Sequence, residues 1–484
     1  MSVLIEGGRI ITGSDDYVAD VYVADETITM IGESLDVDAD RVIDARGKYL
    51  LPGCIDPHTH FDMPFGGTIT ADDFQSGQTS CAFGGTTCHI DFANQVRGHS
   101  FTEGIETWHA KANGKAVIDY GFHIIVIDLE EGGSLEELAT LPDMGVTSYK
   151  MLLAYKNVLM VDDETMFKVF KLARETGALA MIHGENGDAI DILVKQAIAD
   201  GNLEPRWHAK TRPPQLEGEA TNRAIQLAHV AGSPLYVVHV TCKEAVEPIA
   251  RARALGWPVW GETCTQYFFI DDTYLDKPNF EGAKAVFSPP VRDKSNQPVL
   301  WDAVRTDQLS AISTDHCSFR MSDQKTLGKD NFALIPNGAP GVEDRLLMIH
   351  HFGVNEGRIS LNRMVELLST NAAKLFGLYP RKGTIAPGAD ADIVIFDPEK
   401  EHTISAKTHH TKADYNLYEG TTVVGAPEIV MLRGTVLVEN DELVAEPGIG
   451  QFVKRARFGE ELKPKETDAR GTRASSERRR QAAP

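Results

Sequence analysis

Two histidines spaced two residues apart, His58 and His60, are the first residues of this sequence whose types and spacing suggest chemistry. They follow an apolar run that passes through Pro52 and Gly53. In an extended chain, side chains two residues apart point to the same side. Both imidazoles can therefore face one divalent metal ion, for which neutral imidazole is the commonest protein ligand. A chance pairing among the sixteen histidines is the alternative that this pair alone leaves open.

Other apolar, strand-like runs also end in residues that can bind metals or move protons. These residues are Lys150, His183, His239 and Asp315. Taken singly, a histidine in such a run is more often a hydrogen-bonded core residue, and a lysine more often forms an ion pair. Because all of them occupy equivalent positions after separate strands, we predict that they share one site with the first two histidines.

The elements that must position these residues alternate between short strands and amphipathic helical segments from residue 51 to about 377. Eight such units in about 320 residues predict an α/β fold of the (β/α)8 barrel type, in which residues at the C-terminal ends of the strands converge. A doubly wound open sheet is the alternative, although no GxGxxG motif follows the first strand. Strands are predicted near residues 53–57, 86–92, 120–127, 146–152, 178–183, 235–240, 258–262 and 309–314.

Both ends of the chain change to short alternating strands separated by Gly and Asp. The N-terminal strands, predicted to be antiparallel, are 2–5, 9–11, 17–23, 27–31 and 41–43. The C-terminal strands are predicted at 383–385, 391–396, 423–424, 428–432 and 435–438. We therefore predict a composite β-sandwich domain built from residues 1–52 and 378–465 around a barrel of residues 53–377. The polar, basic residues 466–484 predict a flexible tail.

Composition narrows the class of protein. The net charge of −22 argues against a nucleic-acid-binding surface. The six cysteines show no CxxC spacing, which favours free thiols in a reducing compartment. The N-terminus lacks a basic segment followed by an apolar core, and no apolar run is long enough to span a bilayer. We predict a cytoplasmic protein that does not bind membranes.

At the level of motifs, the chain resembles the dihydropyrimidinase/D-hydantoinase branch of the amidohydrolase superfamily over nearly its whole length. The segments that carry the resemblance are Gly53-Cys54-Ile55-Asp56-Pro57-His58-Thr59-His60, Tyr149-Lys150-Met151, His183-Gly184-Glu185-Asn186, and the runs 212–220, 313–317, 335–338, 341–345 and 388–394. Together these segments are far more specific than a single HxH motif.

The resemblance implies a centre of two divalent metal ions, usually zinc. It assigns His58, His60 and Asp315 to one ion and His183 and His239 to the other. Lys150 would bridge both ions after its neutral amine reacts with carbon dioxide, giving N6-carboxylysine. Burial near metals lowers the pKa of a lysine amine, which makes the neutral form accessible.

The resemblance also assigns catalytic and substrate-binding roles. Asp315 would act as general base and then general acid. Tyr155 would donate a hydrogen bond to the oxyanion, although a packing role for this loop aromatic is the alternative. Main-chain groups of Ser288 and Asn337 would bind the cyclic amide or imide, although turn formation explains the neighbouring Pro and Gly equally well.

Phe61, which follows the second histidine, bears on the choice of substrate. Dihydroorotases resemble this chain in their metal ligands but carry an arginine there for a substrate carboxylate. Four apolar residues are candidates for the wall of a hydrophobic pocket that takes a ring substituent, with ordinary loop packing as the alternative: Met63, Phe65, Leu153 and Leu159.

The implied reaction is the hydrolytic ring opening of 5,6-dihydrouracil, dihydrothymine and hydantoins to N-carbamoyl amino acids, within reductive pyrimidine catabolism. Two alternatives stay open, an allantoinase-type enzyme and a non-catalytic scaffold protein of the same fold. The resemblance further implies a homotetramer.

Overall fold

The computed structural model describes residues 2–459, so the predicted flexible tail at 466–484 lies outside the described residues. The strands are β1 Ser2–Ile11, β2 Asp16–Ala24, β3 Thr27–Gly32, β4 Arg41–Asp44, β5 Tyr49–Pro52, β6 Cys54–Thr59, β7 Pro64–Phe65, β8 Thr68–Ile69, β9 Thr86–Asn94, β10 Asp119–Ile125, β11 Ser148–Leu152, β12 Leu179–His183, β13 Leu235–Val237, β14 Val259–Cys264, β15 Ala311–Ser313, β16 Ile393–Thr403, β17 Thr422–Leu432, β18 Thr435–Glu439 and β19 Glu442–Leu443. The α-helices are α1 Phe74–Phe83, α2 Phe101–Ala112, α3 Leu135–Leu138, α4 Asp163–Thr176, α5 Gly187–Ala199, α6 Trp207–Lys210, α7 Pro214–Ala231, α8 Lys243–Ala254, α9 Asn296–Arg305, α10 Arg345–Ile349, α11 Leu361–Val365 and α12 Asn371–Leu375.

Eight parallel strands form the barrel, in the order β15, β14, β13, β12, β11, β10, β9 and β6. Each of them matches a strand predicted from the sequence. A parallel bridge between Thr59, at the end of β6, and His316, just after β15, joins the first strand to the last. The barrel is therefore confirmed, and the doubly wound alternative is wrong. Nearly every residue in these strands is buried, as expected for strands covered on both faces.

The helices between the barrel strands pack one apolar face inward. In α4, the Asp162 carboxylate accepts a hydrogen bond from the Thr165 N–H at the N-terminus. Gly177 ends the helix in the left-handed conformation, with φ +70°. The inward face, with the helical spacing that the sequence shows, consists of Met166, Val169, Phe170 and Ala173.

The two ends of the chain meet in one nine-stranded sheet, ordered β19, β18, β17, β16, β5, β1, β2 and β3, with β4 paired to β1. β5 pairs antiparallel with β16, for example Leu51 with Val394. A sheet domain made from both ends is therefore confirmed. Some details were wrong: β4 and β5 run parallel to β1, and residues 383–385 form no strand. The predicted strands 2–5 and 9–11 are one strand, β1, and the predicted strands 423–424 and 428–432 are one strand, β17.

Buried charges join this sheet to the start of β10. Lys382 Nζ lies 2.7 Å from a carboxylate oxygen of Asp119 and 2.7 Å from one of Asp392. Arg433, which follows β17, also pairs with Asp119. Removing one partner of a buried ion pair strongly destabilises the folded protein. This cluster of charges therefore holds the sheet in place against the barrel.

All six cysteines are buried free thiols, as predicted. Among residues 2–459, the longest helices are too short or too polar to cross a bilayer.

Candidate active site

A cavity at the C-terminal ends of the barrel strands contains every metal-binding, catalytic and substrate-binding residue that the sequence predicts. Its polar lining includes His58, His60, Asn94, Lys150, Tyr155, His183, His239, Ser288, Asp315 and Asn337. These residues come from seven different strands or from the loops that follow them. This convergence is the general arrangement of functional residues in a barrel of this type.

His58, His60 and Asp315 form one group of donor atoms. Nε2 of His58 lies 3.2 Å from Oδ1 of Asp315, and Nε2 of His60 lies 3.1 Å from the same oxygen. One ligand atom from each residue lies within 4.8 Å of the others. Two imidazole nitrogens and a carboxylate oxygen at such distances fit a divalent transition metal.

His183 and His239 face each other beside this first group. Nδ1 of His183 lies 2.9 Å from Nε2 of His239. Lys150 lies beside the first group, with its Nζ 3.4 Å from Nε2 of His58 and over the ring of Phe92. The amine is thus close to a donor atom of the first group.

Two buried carboxylates contact the ring nitrogens of His58 and His183 that point away from the other donor atoms. Oε1 of Glu262 lies 2.5 Å from Nδ1 of His58, and Oε2 of Glu185 lies 2.8 Å from Nε2 of His183. The hydroxyl of Tyr236 donates to the second oxygen of Glu262. Each carboxylate favours the tautomer whose free nitrogen faces the centre, which is the usual support for a metal-binding histidine.

Sequence reasoning gave neither glutamate a role. A signal was present, because Glu262 interrupts the apolar strand β14 and lies in the seventh barrel strand. A fully buried carboxylate in such a strand needs a specific partner.

Burial shifts the pKa values of several site residues. It lowers the pKa of His60 to about 4 and that of His239 well below its ordinary value, so both are neutral at pH 7. Burial also lowers the pKa of Lys150 to about 8, against the opposing effects of Asp315 and Glu262. Burial alone would raise the pKa of Asp315, but His58 and His60 hold it well below its ordinary value.

Tyr155, Ser288 and Asn337 meet across the cavity from the histidines. Nδ2 of Asn337 lies 3.4 Å from the Tyr155 hydroxyl and 3.3 Å from Oγ of Ser288. Burial raises the pKa of Tyr155 to about 12, although hydrogen bonds from the other two residues oppose the shift. The phenol therefore keeps its proton at neutral pH and can donate a hydrogen bond.

Three residues of the site adopt a backbone conformation that is uncommon for residues with a side chain. The φ angles of Tyr155, His239 and Asp315 are +63°, +40° and +51°. Such conformations cost about 1–3 kcal/mol each and cluster at functional sites. They turn the chain sharply after β11, β13 and β15, which places these side chains in the cavity.

The apolar wall of the cavity differs in part from the expectation. Three of the four apolar residues suggested by the sequence line it, namely Met63, Phe65 and Leu159. Leu153 does not, because it is buried in the hydrophobic core, and Leu152 lines the cavity instead. Phe61 also points away and packs on Phe74, His89 and His316. Its apolar character therefore reflects core packing and does not bear on the substrate.

Comparison with known proteins agrees with this barrel. The amidohydrolase family model matches residues 49–437. The chain belongs to the amidohydrolase family, in the branch of the D-hydantoinases and dihydropyrimidinases.

Among its relatives, the D-hydantoinase of Geobacillus stearothermophilus is 54% identical over 460 residues, which cover 95% of this chain and 98% of the relative. The dihydropyrimidinase of Rattus norvegicus is 42% identical, over 95% of this chain and 89% of the relative. The crystal structure of dihydropyrimidinase from Brevibacillus agri superposes with a TM-score of 0.93 at 53% identity, over 95% of this chain and 99% of that one.

Proposed function

We propose that this chain catalyses the hydrolytic ring opening of 5,6-dihydropyrimidines, and of hydantoins as analogues. The observation that carries the proposal is one cavity in which five histidine and aspartate donors face Tyr155, Ser288 and Asn337. The ring amide would lose its bond between the carbonyl carbon and the imide nitrogen. Dihydrouracil would then give N-carbamoyl-β-alanine, a reaction of reductive pyrimidine catabolism.

We further propose that the site holds two zinc ions. His58, His60 and Asp315 would bind one, His183 and His239 the other, and Lys150, as N6-carboxylysine formed with carbon dioxide, would contact both. The converging donor atoms support this assignment. When bound, such ions acidify a water molecule and polarise a carbonyl oxygen.

Asp315 would move the proton in this reaction. Its Oδ1 lies at the centre of the first donor group and stays ionised at neutral pH. As general base it would take a proton from the attacking water. It would then give that proton to the ring nitrogen as the carbon–nitrogen bond breaks, which balances the charge of the leaving amide.

Tyr155 would donate its phenolic proton to the oxygen that becomes negative when water adds to the carbonyl. Main-chain groups of Ser288 and Asn337 would hold the ring. In support, none of these main-chain N–H and C=O groups has a hydrogen-bond partner among the described residues. They are therefore available to a cyclic amide that presents alternating donors and acceptors.

Initial rates on dihydrouracil, a 5-substituted hydantoin, allantoin and dihydroorotate, measured side by side, test the proposal. We expect turnover of the first two and little of the others. Faster turnover of allantoin would favour the allantoinase alternative. Purified protein that holds no tightly bound divalent metal, while it keeps its fold, would favour the non-catalytic scaffold.

We also propose a cytoplasmic homotetramer. The resemblance implies the tetramer, and six free buried thiols suit a reducing compartment. Light scattering coupled to size-exclusion chromatography measures the oligomeric state. A mass of one protomer, at micromolar concentration, would contradict it.

A further inference from the structure

Lys325 is a fully buried lysine outside the donor groups of the cavity. It begins a short 3-10 helix, Lys325–Gly328, in the long connection after β15. Its exposed fraction is 0%, which is rare for lysine. Among the described residues no carboxylate forms an ion pair with it. Burying an ammonium group without a counter-charge costs free energy. The groups that accept its hydrogen bonds therefore indicate its role.

The amine of Lys325 donates three hydrogen bonds, all to main-chain carbonyls. The acceptors are Val286 at 2.8 Å, Pro336 at 2.8 Å and Gly338 at 2.6 Å. An ammonium has three donors, and here each one has an acceptor. Hydrogen bonds from a charged donor are roughly twice as strong as those between neutral groups.

These three carbonyls belong to the two loops that carry the proposed substrate-binding residues. Val286 lies two residues before Ser288, while Pro336 and Gly338 flank Asn337 on both sides. The Gly338 N–H also donates to the Val286 carbonyl, at 3.0 Å. These hydrogen bonds therefore connect the two loops through residues near Ser288 and Asn337. They leave the main-chain groups of Ser288 and Asn337 themselves unused.

The residue before Lys325 makes a similar connection to a third part of the cavity rim. Nε2 of Gln324 donates to Oγ1 of Thr68 at 3.0 Å and to the Ile69 carbonyl at 2.6 Å. These acceptors lie in the β7–β8 hairpin, which also carries Phe65. Two consecutive residues thus hold three segments that surround the cavity.

We propose that Lys325 is a positioning residue for the cyclic substrate. Its ammonium sets the separation and orientation of the main-chain groups at Ser288 and Asn337, so that both contact one ring. This inference rests on the proposed function, since it gives those two residues their role. It adds a residue that touches neither the substrate nor the metal ligands.

The test compares Lys325→Met with the wild-type holoenzyme on dihydrouracil. Methionine has a similar length but no donor, so three carbonyls lose the hydrogen bond that they accept from the amine. We expect KM to rise about tenfold or more while kcat falls by less than about threefold, because substrate binding suffers and the reacting groups stay in place. Metal content should stay equal to wild type. Lys325→Gln, which keeps two donors, should give a smaller rise in KM of about threefold or more.

Lys48→Met is the matched control, since Lys48 is a partly buried lysine ion-paired in the terminal sheet. It should lower stability without changing KM. A KM within twofold of wild type in a folded Lys325 variant would overturn the inference, and so would a fall in kcat alone. A wild-type holoenzyme that opens no cyclic amide would overturn the proposed function as well, which separates the two failures.

Discussion

Glu262 accepts a hydrogen bond from Nδ1 of His58 at 2.5 Å, and both side chains are fully buried. The carboxylate makes Nε2 the free nitrogen of the ring and increases its basicity. Glu262→Gln keeps an acceptor but loses the charge. We expect metal affinity to fall about 10- to 100-fold, the usual effect of changing such a partner. Competition with a chelator, followed by elemental analysis, measures the change.

The control for this substitution is Glu247→Gln, at a side chain that is 64% exposed on α8. It should leave metal affinity unchanged. If Glu262→Gln holds metal as tightly as this control, Glu262 does not support the centre.

Lys150 leads to a pH prediction for metal loading. Carbon dioxide reacts with the neutral amine, and the pKa of this lysine is lowered to about 8 by burial. Below pH 8 the neutral fraction therefore rises about tenfold per pH unit. Reconstitution of metal-free protein with zinc, at a fixed concentration of dissolved carbon dioxide, should be much faster at pH 8 than at pH 6.5, as followed by recovered activity.

Lys150→Ala removes the bridging ligand and should abolish both activity and the effect of bicarbonate. Near-normal turnover with two bound metals in this variant would refute the assignment. If the wild type takes up metal equally well in carbon-dioxide-free buffer, the proposed carboxylation of Lys150 would be refuted.

Tyr155→Phe removes one hydroxyl and leaves the ring in place. We expect kcat to fall about 10²- to 10³-fold, the typical effect of losing an oxyanion donor, with metal content unchanged. Because burial raises the pKa of Tyr155 to about 12, its deprotonation should not limit the wild-type rate below about pH 11. Steady-state kinetics across pH test both statements, and a kcat within threefold of wild type would contradict the role.

Phe65 packs edge to face on Tyr155, with ring centroids 5.4 Å apart, and lines the cavity. Phe65→Ala should lower kcat/KM for 5-benzylhydantoin more than for dihydrouracil, since only the former has an apolar substituent to bury. Ile69→Ala, in the same hairpin but 53% exposed, is the control. An equal loss for both substrates would place the substituent elsewhere.

The barrel and the ligand residues were predictable because each depends on a local pattern. An apolar run makes a strand, and a metal-binding residue just after the run, such as His183 or Asp315, lies at the end where the strands converge. Strand pairing at the chain ends was not predictable in the same way. β5 pairs parallel with β1 through contacts that short alternating segments do not specify.

The direction of individual side chains was the second feature that could not be predicted from the sequence. Phe61 and Leu153 lie beside site residues in sequence, yet they point into the core, since one residue along a strand reverses the side. The supporting residues Glu262 and Lys325 were also missed. Their partners lie between 11 and 204 residues away, and a single sequence does not show which groups will meet a buried charge.

The pairing of β5 with β16 has a consequence for synthesis on the ribosome. Roughly 340 residues separate these strands, and at about 5–20 residues per second the first waits between about 17 and 70 seconds for its partner. Until then, the apolar faces of β1 and β5 have no completed sheet. The emerging N-terminal segment is therefore a natural client for chaperones, and fragments that lack the last strands should aggregate.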